Sequence, residues 1–164
     1  MRYTIRKAKP RDYDALLPIF DEGDAHHRQA LPHIFCEPDG PARSRAYLNA
    51  LIADENTAIF VAECDGQIVG EVNVAIRETR DIPILVPRRY AVVDTLIVLQ
   101  AHRRAGIGRT LMERAQRWAL ARGAAEVELN VWEFNVGALA FYEALGYRTT
   151  RRTMSRVLHE QEEL

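Results

Sequence analysis

A chain of 164 residues, 48% apolar and 27% charged, has the size and balance of one globular domain. It is long enough to bury roughly 70% of the surface its unfolded form exposes, which argues against disorder and against fibres. Its 22 Lys and Arg against 23 Asp and Glu leave a net charge of −1, so neither a general nucleic-acid footprint nor an anionic-membrane footprint is supported. The charge is uneven: residues 1–82 carry 10 basic and 14 acidic side chains, residues 83–164 carry 12 and 9, so a bound anion is expected in the second half. Cys36 and Cys64 are too few for a disulfide framework, a zinc site or a redox pair, which fits a reducing compartment. The start MRYTIRKAKP is charged from its second residue, and no apolar run approaches the about 18 residues that span a bilayer. The expectation is a cytoplasmic, unanchored single domain over residues 1–164.

In chain order, Arg2 to Ala8 alternates and predicts a strand ended by Pro10. Tyr13, Leu16, Leu17 and Phe20 fall at helical spacing over Arg11–Phe20. The breaker-rich DEGDAHHRQALPHIFCEPDGP that follows predicts a long loop. A short helix is expected over Arg45–Ala53, then two strands, Ala58–Glu63 and Gln67–Ile76, joined at Asp65-Gly66, a pair suited to the positive φ of a hairpin turn. RETRDIPILVPRR reads as a second loop. Tyr90–Leu99 is nearly all apolar and predicts a strand buried on both faces. A helix follows with the stripe Ile107, Leu111, Ala115, Trp118, Ala119, ending near Gly123. A strand over Glu126–Trp132, a helix over Asn135–Leu145 closed by Gly146, and a last strand over Arg151–Leu158 complete the list. Early antiparallel strands followed by a β–α–β–α core define a mixed α/β (α+β) fold.

The chemically informative segment is the apolar strand ending in QAHRRAGIGRTL. A strand that turns through glycines into a helix aims backbone N–H groups and the positive helix end at one point, which favours an anion. Gly106 and Gly108 let an oxygen approach the backbone, and Arg103, Arg104 and Arg109 add charge at the rim, so a pyrophosphate is the expected guest. The loop lacks the Lys-Ser/Thr ending of an ATP or GTP phosphate cradle, and G-x-G-x-x-G is also absent.

Arg103-Arg104-Ala105-Gly106-Ile107-Gly108 resembles the R/Q-x-x-G-x-G/A signature of the GNAT superfamily of N-acetyltransferases, and the run from Asn135 through Phe141-Tyr142 to Gly146-Tyr147 is similar to that family's N-x-x-A-x-x-F-Y-x-x-x-G-F/Y segment. The motifs cover about residues 92–147. The resemblance implies a mostly antiparallel sheet with splayed central strands, flanked by helices, and acetyl-CoA as co-substrate with no metal. It assigns the pyrophosphate to Arg103, Arg104, Ala105, Gly106, Ile107, Gly108 and Arg109. The pantetheine arm falls to the main chain of Leu96, Ile97 and Val98, where strand-like pairing leaves side-chain identity open, and Asn135 helps hold that arm. Asn135 is equally suited to cap a helix.

By the same resemblance Tyr142 is the general acid that protonates the leaving sulfur; packing within its helix is the alternative. A main-chain N–H near Leu96–Val98 would stabilise the developing oxyanion. The attacking amine must also be neutral, which costs an alkylamine of pKa ~10.4 about 3 units at pH 7. Asp94, a carboxylate within an apolar strand, is the first candidate base; Glu71, Glu133 and a water chain are the others. Some relatives that acetylate protein N-termini place a catalytic glutamate where this chain has Asn130.

Cys36 and Cys64 lack a patterned activating partner, and His26, His27 and His33 lack zinc-site spacing. The loops Asp21–Pro38 and Arg77–Arg89 would wall the acceptor pocket. The first offers Asp21, Glu22 and Asp24 to a cation, the second Arg77, Arg80, Arg88 and Arg89 to an anion. The expected activity is acetyl transfer to a primary amine of a small-molecule or peptide acceptor, with no nucleic-acid or membrane partner; a homodimer is compatible with the family. A non-catalytic acyl-CoA-binding sensor or interaction module is the alternative.

Overall fold

The computed structural model describes residues 2–158, which divide into two compact units, one up to Asn130 and one from Val131 onward. The first contains β1 (Tyr3–Lys7), α1 (Tyr13–Ala30), α2 (Arg45–Ala53), β2 (Thr57–Cys64), β3 (Gln67–Glu78), β4 (Arg89–Val98), α3 (Ile107–Leu120) and β5 (Val127–Leu129). The strands form one sheet in the order β1-β2-β3-β4-β5, antiparallel except for the parallel β4/β5 pair. This is the mixed α/β class that the sequence predicts. The β2–β3 hairpin turns at Asp65 (φ 49°) and Gly66 (φ 80°), the doubly positive geometry that favours this dipeptide.

Register decides what each face carries. Val61 pairs with Glu71 and Glu71 with Ile97; Ile59 pairs with Asn73 and Asn73 with Thr95. Residues directly opposite share a face, so these six lie together, and α1 and α2 pack there through Leu16, Ile19, Phe20 and Leu48. The other face belongs to α3. Its Ile107, Leu111, Met112 and Ala115 are buried, and Arg114 lies 5.1 Å over the Phe60 ring.

Four expectations are corrected. The loop expected from Asp21 is helical as far as Ala30. Gly23 there marks a close approach, since a Cβ would stand 2.6 Å from Cδ1 of Ile97. Arg43 reaches across to Asp24 at 2.7 Å, and Arg28 to Asp21 at 3.3 Å. Second, β4 is buried at Ala91 and Val93 only, and Asp94 is exposed. Third, the strand expected over Glu126–Trp132 shrinks to Val127–Leu129. Its pairing stops at Val93, one residue before a bulge in which Asn73 faces Thr95 while Val74 faces Val93, leaving Asp94 as the extra residue. A bulge bends its strand and ends regular pairing, so β4 from Asp94 to Val98 runs on without β5 beside it.

In the second unit α4 (Val136–Ala144) is capped by Asn135, whose Oδ1 accepts the Ala138 N–H at 3.1 Å, and Gly146 follows at φ +89°. The fourth correction lies here. Residues 151–158 form no strand; Met154, Val157 and Leu158 are exposed, so the run lacks the buried apolar face that stabilises a strand.

Gly70 gives a stability prediction. A Cβ there would meet the Ile97 carbonyl oxygen at 2.9 Å, a backbone atom that cannot rotate away. Gly70→Ala is expected to cost about 2 kcal/mol, lowering the unfolding midpoint by roughly 4–8 °C in a calorimetric scan; an unchanged midpoint would show that β3 and β4 separate freely at this point.

Candidate active site

Two buried polar side chains, Glu71 and Asn73, and the half-buried Thr95 gather on the face of the sheet beneath α1 and α2. Glu71 is 0% exposed and Asn73 8% exposed. Both Glu71 carboxylate oxygens, Asn73 Oδ1 and Thr95 Oγ1 lack a hydrogen-bond partner among the described residues. Buried acceptors without donors are uncommon in folded proteins and call for a functional account. The same atoms line a cavity of about 100 Å³. Its walls include Phe20, Leu48, Leu51 and Ile59, and Asp94 lies at its exposed side with Arg43. The bulge explains how neighbouring Asp94 and Thr95 both reach one cavity, which a regular strand would forbid.

Burial pushes the Glu71 carboxyl up to about 7; the nearby Thr95 hydroxyl and Arg43 guanidinium pull it down, and Asp24 pushes it further up. Asp94 is also raised by desolvation and held back by Arg77, 3.9 Å away. The Asp94 side chain remains 43% exposed, so it is the less desolvated of the two.

The strand-to-helix turn has the predicted form. Arg104 (φ 61°) and Gly106 (φ 81°) take left-handed conformations, and the chain enters α3 at Gly106 with no side-chain cap. By contrast α2 is capped by Ser44 and α4 by Asn135. The first N–H groups of α3 therefore have no side-chain acceptor at the cap, and Arg104 and Arg109, on either side of Gly106 in the chain, form no ion pair among the described residues. An anionic diphosphate fits this donor set. Arg103 is engaged differently: its guanidinium donates to the Val98 carbonyl at 2.8 Å and to Glu22 at 3.1 Å, while Glu22 also accepts the Gln100 N–H at 2.7 Å.

The remaining site residues stand as follows. Leu96, Ile97 and Val98 lie on the part of β4 without β5 beside it, Ala105, Ile107 and Gly108 in the turn and first helical turn. In the second unit Tyr142 is partly buried, its ring 5.2 Å from Phe141 and 5.7 Å from Tyr147. Glu133 is exposed. Many charges of the two segments expected to wall the acceptor pocket are paired: Asp24 with Arg43, Glu22 with Arg103, Arg88 with Glu126 and Glu128, and Arg89 with Glu78. Sequence reasoning missed Arg43, Asn73 and Thr95. The polar pair Glu71 and Asn73, two apart within an apolar strand, was the available signal.

The model of the acetyltransferase (GNAT) family matches residues 24–147. An N-alpha-acetyltransferase from Sulfurisphaera tokodaii is 28% identical over 154 residues, 91% of this chain and 82% of that protein. The chain spans only 45% of mouse N-acetyltransferase family 8 members 3 and 7, to which it is 32% and 31% identical. A crystal structure of the BH1408 protein from Bacillus halodurans superposes with a TM-score of 0.91 at 25% identity, covering 95% of this chain and 99% of that one. Aminoglycoside N-acetyltransferase AAC(6')-Iy, solved with CoA, shares the fold at a TM-score of 0.72 and 17% identity, over 95% and 99% of the chains. The chain belongs to the GNAT acetyltransferase family. Among the described residues no helix is long and apolar enough to cross a membrane.

Proposed function

We propose that this protein transfers an acetyl group from acetyl-CoA to a primary amine, with Glu71 as the base that takes the amine's proton. The observation that carries the reading is a fully buried carboxylate, raised to about 7, with the Thr95 hydroxyl nearby but no donor in hydrogen-bonding geometry among the described residues, facing a cavity in a GNAT fold. A base whose pKa sits near the working pH combines availability with driving force. Asp94, the sequence's first candidate, becomes a rim carboxylate, because its exposure leaves it more solvated.

The co-substrate supplies an acyl group activated as a thioester. The α3 N-terminus with Arg104 and Arg109 holds its diphosphate, and the edge of β4 over Leu96–Val98 offers main-chain groups to the arm. Arg103, Ala105, Gly106, Ile107 and Gly108 shape that turn. Asn135 shapes the start of α4 by capping it. When the C–N bond forms and the C–S bond breaks, Glu71 has accepted a proton from the ammonium and Tyr142 gives one to sulfur; the extra proton on the new amide nitrogen returns to the tyrosinate, and Glu71 releases its proton to solvent. The role of Tyr142 is supported by the family motif around it.

Tyr142→Phe is expected to lower kcat by 10²-fold or more with acetyl-CoA affinity nearly unchanged, read by thiol release at saturating substrates beside calorimetry. Wild-type turnover in the variant removes the tyrosine from the chemistry. Cofactor binding without thiol release for any amine of a broad panel would instead identify an acyl-CoA sensor.

A further inference from the structure

The cavity beneath α1 and α2 carries information about the acceptor that the family assignment does not. It holds about 100 Å³. An apolar cavity of about 150 Å³ accepts benzene, so this one takes about four heavy atoms. Its walls at Phe20, Leu48, Leu51 and Ile59 suit methylene groups, whereas the atoms without a partner among the described residues, two Glu71 oxygens, Asn73 Oδ1 and Thr95 Oγ1, are all able to accept. A primary ammonium brings three donors and no acceptor, the complement of that set. The cation at the rim, Arg43, is engaged by Asp24 through contacts of 2.7 and 3.2 Å and lies 4.4 Å over the Phe20 ring, so a carboxylate next to the amine finds no unpaired cation among the described lining residues.

We propose that the cavity selects an unbranched aminoalkyl arm, entering ammonium first, with its N–H groups on Glu71, Asn73 and Thr95 and three or so methylenes against the apolar walls. The inference rests on the acetyltransferase reading given above and adds the shape of the acceptor. An amine on a branched carbon, such as a peptide N-terminus, is too wide at the first carbon. A sugar amine one methylene from its ring is stopped by the ring. Free alkylamines and lysine side chains both present the selected arm.

The test measures thiol release from acetyl-CoA with n-butylamine, its branched isomer sec-butylamine, Nα-acetyl-lysine amide, alanine amide and an aminoglycoside. In parallel, the unfolding midpoint is followed without acetyl-CoA, with n-butylamine or with sec-butylamine, for the wild type and Glu71→Gln. The expected kcat/KM is tenfold or more higher for n-butylamine than for sec-butylamine, as one misplaced methyl commonly produces, with alanine amide and the aminoglycoside lower still. The ratio of n-butylamine to the lysine amide separates a free amine from a side-chain acceptor. Leu51→Ala, which widens the wall, is expected to narrow the gap between the butylamine isomers. Turnover that favours alanine amide, the aminoglycoside or the branched isomer overturns the proposed selectivity and leaves the acetyltransferase reading standing. No turnover with any amine, but a Glu71-dependent rise in midpoint that is larger with n-butylamine than with sec-butylamine, supports the selectivity and overturns the enzymatic reading; an equal rise overturns both. Neither turnover nor a Glu71-dependent rise overturns both.

Discussion

Glu71→Gln is expected to lower kcat/KM by 10²–10⁴-fold, the usual contribution of a positioned base, while making the folded protein less sensitive to pH. The carboxyl rises from its ordinary value of 4.5 to about 7 on folding because burial disfavours its charge. Between those values the folded chain holds a proton that the unfolded chain releases, so stability contributed by this group falls as pH rises. Below 4.5 the penalty is absent; above about 7 it is complete, amounting to about 3 kcal/mol for a shift of this size. The stability of Glu71→Gln relative to the wild type should therefore grow by about that amount between pH 4.5 and 8, whatever fixed offset the amide introduces. Urea unfolding at several pH values measures it. The same ionisation should appear as a rise in wild-type kcat/KM through about pH 7. A variant that loses neither activity nor pH dependence would mean that Glu71 keeps water contact and serves no base role.

The second large effect concerns the turn before α3. Gly108→Glu places a carboxylate where the uncapped helix end presents its donors, so coenzyme A should bind at least 100-fold more weakly, about 2.7 kcal/mol. Negative charge in the first turn of a helix stabilises that helix by roughly 0.3–1 kcal/mol, so the unfolding midpoint should hold or rise slightly. Loss of binding without loss of fold separates a diphosphate site from a turn whose glycines serve only the backbone. Calorimetry with coenzyme A on folded variant and parent decides it, and equal affinity would remove the diphosphate from this turn.

Local chemistry made much of the fold readable. Asp65-Gly66 turns as two positive-φ residues must, the stripe from Ile107 to Ala119 is buried as its spacing predicts, and Gly106 enters α3 in the left-handed region. Other signals misled because their cause lay elsewhere in space. Gly23 resembles a helix breaker in the sequence, yet its missing side chain leaves room for Ile97 inside a continuous helix. The run from Arg151 to Leu158 reads as a last strand in the sequence, but residues 151–158 form none.

The sequence by itself determined a mixed α/β fold, the glycine-bearing turn and the family, because these follow from spacing along one chain. Only the tertiary structure separated the two carboxylates offered as base, burying Glu71 and exposing Asp94. Glu71 and Asn73 alternate with Val72 and Val74 as though they faced water, and Asp94 sits in an apolar run as though it were buried. The packing of α1 and α2 over one face and the bulge at Asp94 reverse both readings. Desolvation belongs to what surrounds a carboxylate in three dimensions, and no pattern of neighbours along the chain encodes it.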